Sequence, residues 1–147
     1  MKVVHIVVGV ACIAFVAGAA GWGAWCWYRL QHGRLFWRLL RAGQASVVLE
    51  AALGGVLLIL GYRESDLHVI YGLLPVAVSF VGELLRIASA QTVLDSRGLE
   101  SANAVGELPE DEQSLVVVSI LQRELGVMVL ASFVMLALLI RAWGTAP

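Results

Sequence analysis

The sequence predicts an all-α integral membrane four-helix bundle. Three observations carry this. The 147-residue chain is 60% apolar with a mean hydropathy of +0.86, well above the roughly half-apolar composition of a soluble domain. The excess is concentrated in four blocks, about 3–27, 42–61, 67–90 and 115–140, each near or above the ~20 residues a helix needs to cross a hydrocarbon core. The blocks are runs of Val, Leu, Ala and Gly without period-2 alternation, which excludes a lipid-facing β-barrel pattern and leaves helices that satisfy their own backbone. Residues 1–147 are read as one four-span domain.

The first block, "MKVVHIVVGVACIAFVAGAAGWGAWCWY", opens like a secretory signal, with one Lys, an apolar core and small residues. Its apolar run continues without a polar break to Tyr28, and the positive charge follows it at Arg29, Arg34, Arg38 and Arg41. A retained transmembrane helix is expected. Its cysteines, Cys12 and Cys26, imply no disulfide framework. The next stretch, "RLFWRLLR" (34–41), is basic and amphipathic and is expected to lie along the inner surface before the second block descends. His32 falls in the same basic loop and is expected to be solvated.

Between blocks three and four, "TVLDSRGLESANAVGELPEDEQ" (92–113) carries six acids and one Arg. Gly98 and Gly106 mark breaks, and Pro109 before Glu110, Asp111 and Glu112 is a helix start, because acids favour the first turn. This segment is expected to be a solvated cytoplasmic connection. Counting Lys and Arg by side, seven (Arg29, Arg34, Arg38, Arg41, Arg86, Arg97, Arg123) stand against three (Lys2, Arg63, Arg141). The positive-inside rule then puts the first and third connections inside and both termini outside, N-out/C-out. Trp25, Trp27, Tyr28 and Trp37 mark the inner interface; Tyr62, Tyr71 and Trp143 mark the outer one. Nine of ten basic residues are Arg, a bias that with the Ala, Gly, Val and Leu content suggests a GC-rich bacterium and its plasma membrane.

Helices in lipid pack through small residues, and residues three and four apart share a face. One stripe in the first block holds His5, Gly9, Cys12, Ala19 and Gly23. The second holds Gly43, Ser46, Glu50, Gly54 and Gly61, and the third His68, Gly72, Pro75, Ser79, Glu83 and Arg86. Ionisable residues thus share stripes with glycines and face the bundle. The fourth block offers two stripes, one with Ser119, Arg123, Gly126 and Ala137, the other with Glu124, Met128 and Met135.

At about 1.5 Å per residue, Glu83 lies roughly 24 Å past Leu67 and reaches the inner leaflet. Arg86 is one turn deeper, and Arg123 and Glu124 arrive there from the fourth block. An intramembrane charge network of Glu50, Glu83, Arg86, Arg123 and Glu124 is therefore expected, with Glu83–Arg123 the best-matched pair between helices. Three carboxyls against two cations leave one over. Glu50, nearest the midplane, is the odd one, in a setting that favours an uncharged carboxyl. Intramembrane ionisable residues are functional candidates, and a neutral Glu bonded across helices is also common glue.

His5 and His68 fall at comparable depth near the outer ends, where two imidazoles can serve a heme or a transition metal. "QASVVLEAALGGVLLILG" followed by "DLHVIYGLLP" (44–75) resembles helix pairs of heme A synthase and related b-type cytochromes, in which a helix ending in Gly precedes one that opens with a ligand His. The resemblance implies heme as a cofactor, His68 as an axial ligand and His5 as its partner. Helices two and four lack the histidines such proteins usually supply. The whole chain also resembles small uncharacterised four-helix membrane proteins of GC-rich bacteria.

No G-x-x-x-x-G-K-[ST], G-x-S-x-G, H-E-x-x-H or C-x-x-C occurs. The net charge of −1 gives no nucleic-acid signature. The sequence therefore predicts a non-enzymatic accessory or scaffold subunit whose partners are the bilayer and a membrane protein or a second copy. Two alternatives are a heme-handling protein using His5 and His68, and a small proton- or ion-conducting oligomer centred on Glu50. No metal site is expected.

Overall fold

The computed structural model describes residues 2–31, 33–63 and 65–146, and His32 lies outside them. Five helices run in order: α1 (Lys2–Tyr28), α2 (Arg34–Ile59), α3 (Asp66–Ser96), the single-turn α4 (Ala102–Val105) and α5 (Glu110–Trp143). There is no strand among the described residues. The four long helices are each long and apolar enough to cross a membrane. α3 packs on α5, and α1 packs on both α2 and α5, whereas α2 and α3 meet far less.

One expectation about boundaries is corrected. The basic segment 34–41 is not a separate surface helix: it forms the first turns of α2, which runs unbroken from Arg34 to Ile59. Phe36 and Leu40 are buried at 0% and 1% exposure while Arg34, Arg38 and Arg41 face outward, so the amphipathic pattern reflects packing against α1. α3 continues past residue 90 to Ser96 and passes through the buried Pro75 without interruption. α5 begins at Glu110 as its acidic first turn requires.

The helix ends close by backbone geometry. Gly61 (φ +87) and Gly98 (φ +67) follow α2 and α3 in the left-handed region. After α2, Tyr62 N donates to Leu57 O and Gly61 N to Leu58 O, the paired bonds that retire the last carbonyls of a helix. α1 ends in the same way, but the left-handed residue is Leu30 (φ 54), a conformation that costs a Cβ-bearing residue about 1 kcal/mol.

The α1–α2 seam follows a heptad step. His5 lies against Gly54, Gly9 against Glu50, Val16 against Gly43, and Gly23 against Phe36. Each contact sets a large side chain against a glycine, and the glycine alternates between the helices. The backbones can then approach as closely as packing in lipid demands. Between these contacts lie Cys12, Ala19 and Val47, all at 1% exposure or less. Both cysteines are free and buried. On α5, Met128 and Met135 are fully buried while Arg123 and Ala137 are exposed. The stripe with Glu124 thus faces the bundle.

A Cβ at Gly23 would stand 2.6 Å from the Phe36 ring and 2.7 Å from Val129 Cγ2. Neither neighbour can swing aside. Gly23→Ala is expected to cost about 1–3 kcal/mol, whereas Gly21→Ala, with open space around it, should be near neutral. Denaturant titration of the two variants in mild detergent checks the difference.

Candidate functional site

Two polar clusters sit inside the bundle. The first lies toward the α2 N-terminus. Glu83 of α3 accepts hydrogen bonds from Arg41 Nη1 and, at 3.0 Å, from Gln44 Nε2, both on α2. Arg86 Nε donates to the other Glu83 oxygen at 3.0 Å, and Arg86 Nη1 reaches Glu124 Oε2 of α5 at 3.3 Å. Arg41 also donates to Gln44. The guanidinium carbons of Arg41 and Arg86 lie 5.9 and 5.8 Å from the centroid of the Trp37 ring, within the range of a cation–π contact. One carboxylate thus joins α2 to α3, and one arginine joins α3 to α5.

Of the expected network, Glu83, Arg86 and Glu124 come together. The Glu83–Arg123 pair does not form. Arg123 is exposed and makes no ion pair among the described residues, because the burial of Met128 and Met135 turns the Glu124 face inward. Arg41 takes its place, with Gln44 beside it. Both lie on α2 at i, i+3, and Gln44 is nearly buried. The sequence signal for them was a Gln one turn before Val47, on the face that also carries Gly43.

The second cluster lies toward the α1 N-terminus, where the helices enclose a cavity of about 280 Å³. All four long helices line it. α1 contributes Lys2 and His5, α2 contributes Glu50, and α3 contributes His68. His5 Nδ1 is 3.1 Å from Glu50 Oε1, so Glu50 stands beside an imidazole, apart from every arginine. Glu50 Oε2 is buried and has no hydrogen-bond partner among the described residues. The His5 and His68 rings meet edge to face with centroids 6.1 Å apart, as their shared depth predicts.

His68 is fixed from behind. Its Nδ1 donates to Ala142 O at 2.9 Å. A carbonyl only accepts, so Nδ1 carries a proton. Ser65, which caps α3 by accepting from His68 N, donates to Thr145 O at 2.9 Å. The first turn of α3 thus adds donors to Ala142 O, which also accepts from Thr145 N and Oγ1, and to Thr145 O just past the end of α5.

The clusters are separated by apolar packing. Between Glu50 and Gln44 on α2 lies Val47, and Val16 lies opposite Gly43. Both valines are 1% exposed. Glu50 therefore communicates with the cavity and not with Glu83. No group of three or more His, Cys, Asp or Glu capable of holding a metal exists among the described residues.

Glu83→Gln should lower stability by about 1–3 kcal/mol, since it strips the shared acceptor from two arginines. Arg41→Ala should lose a similar amount, and Arg123→Ala should stay within about 0.5 kcal/mol of the parent. Unfolding in a graded SDS series ranks the three. Comparison of the chain with protein-family models, curated proteins and solved structures finds no match in any of the three.

Proposed function

We propose that this protein is a non-enzymatic accessory protein of the bacterial plasma membrane, spanning it four times with both termini outside, that binds a small ligand in the cavity around His5, Glu50 and His68. The observation that carries this reading is the cavity itself, lined by His5, Glu50 and His68, in which Glu50 carries a buried Oε2 without a hydrogen-bond partner among the described residues. An unpartnered acceptor at that depth costs free energy, and a bound donor removes the cost. The cluster at Glu83 supports a structural role instead, since its charges already satisfy one another. The apolar layer at Val16 and Val47 argues against conduction through one copy.

One observation favours a second reading, heme or metal ligation by His68 and His5. His68 gives its Nδ1–H to a carbonyl, the second-shell arrangement that ligating histidines use to fix their tautomer.

Native mass spectrometry of protein extracted into lipid nanodiscs should show a retained non-protein mass. Gly54→Leu, which fills the cavity beside His5, should remove it. A bare wild-type mass, with Glu50→Gln leaving stability unchanged, would sink the binding reading. A Soret band that His68→Ala abolishes would install the heme reading instead. An alkaline phosphatase fused after Ala146 should be active; an inactive fusion alongside a fluorescent cytoplasmic reporter would reverse the topology.

A further inference from the structure

We infer that the cavity is entered sideways from the lipid, between α2 and α3, and that its occupant is a single-chain amphiphile with a hydrogen-bond-donating head, a protonated long-chain amine being the simplest. The inference rests on the cavity's being a ligand site, as proposed above, and adds both the entrance and the chemistry of the occupant.

The entrance follows from how the walls are built. The heptad seam closes the side between α1 and α2, and the extended α3–α5 contact closes the opposite side. α2 and α3 are the neighbours that pack least, and the Arg41–Glu83–Gln44 contacts hold them together at the far end from the cavity. On the cavity side, Gly55 of α2 and Gly72 of α3 both line the space, and neither has any atom within 4 Å of where a Cβ would stand. Leu58 and Leu73 line the same cavity and are also 42% and 53% exposed on the outer surface. The cavity wall is therefore continuous with the apolar surface that meets lipid.

The occupant follows from what lines the interior. The walls are mostly aliphatic and accept an alkyl chain, at a volume near the lower end of small-ligand sites. Among the described residues, the ionisable groups facing the space are Lys2 and His5 from α1, Glu50 from α2 and His68 from α3, with none from α5. Lys2 Nζ is drawn to the rim, 5.3 Å from the Tyr62 ring centroid. Glu50 lines the same space with a side chain 17% exposed, and its carboxyl includes an oxygen with no hydrogen-bond partner among the described residues. A carboxylate or phosphate head would set acceptor against acceptor there. A head bearing N–H or O–H completes the site, and an ammonium adds charge to the bond.

The test is equilibrium binding of radiolabelled dodecylamine to the full chain in phosphatidylcholine nanodiscs, with empty nanodiscs as background. Saturable binding near one per protein is expected. Glu50→Gln should weaken it about tenfold or more. Gly72→Leu, which projects into open space at the entrance and should fold normally, should slow association by about tenfold in stopped-flow mixing. Dodecanoate should not compete. If dodecanoate displaces the amine, or Glu50→Gln binds as tightly as wild type, the assignment of the head is overturned while the retained mass in native spectra keeps the cavity as a ligand site. If Gly72→Leu associates as fast as wild type, the lateral entrance is overturned. If folded wild type shows neither a retained mass nor saturable binding, the ligand-site reading falls with the rest.

Discussion

The Glu83 carboxylate is the interaction on which the arrangement of helices depends. Among the described residues it is the one side-chain acceptor shared by α2 and α3, through Arg41, Gln44 and Arg86, and Arg86 passes the connection on to Glu124 of α5. In lipid, helices gain little from apolar contact with one another, so a weakly packed pair needs a polar fastening. α2 and α3 are that pair. Fastened at one end, they leave room at the other for a cavity that a uniformly packed bundle would have filled.

The remaining contacts divide the work by chemistry. α1 and α2 approach through glycines matched to large side chains. α3 and α5 combine broad packing with the bonds from His68 to Ala142 O and from Ser65 to Thr145 O, just past the end of α5. His68 is therefore a structural donor through one nitrogen while its side chain also lines the cavity. Ion pairs in such places contribute less to stability than to a unique arrangement, and the aromatic face of Trp37, beside both Arg41 and Arg86, narrows that arrangement further.

Much of this was legible in the sequence because its physics is periodic. Four apolar runs of membrane length announced four helices, and three-and-four spacing placed His5, Glu50, His68 and Glu83 on inward faces. Depth counted along the helices brought His5 to His68 and Glu124 to Arg86. What periodicity cannot settle is rotation between equivalent faces. α5 carried two plausible stripes, and only the packing of Met128 and Met135 turned Arg123 outward. Nor does an amphipathic basic segment reveal whether its apolar face meets lipid or another helix. Arg41 was for that reason assigned to the membrane surface, and its role as the partner of Glu83 was missed. The His5–Glu50 contact was missed because the two residues lie at different nominal depths, and neighbouring helices bring together residues one turn apart.

The alternation of glycines across the α1–α2 seam has a consequence for how the chain assembles. Two smooth apolar helices in a bilayer can slide along each other and stop in several nearly equivalent positions. Here a slip of one heptad would set Val16 against Phe36 and Gly9 against Gly43, giving one collision and one void in place of two matched contacts. Each wrong position is penalised by overpacking and by an unfilled gap. The first hairpin thus has a single stopping point built into its own side chains before α3 or α5 arrives, and the later helices dock on a template whose length and phase are already fixed.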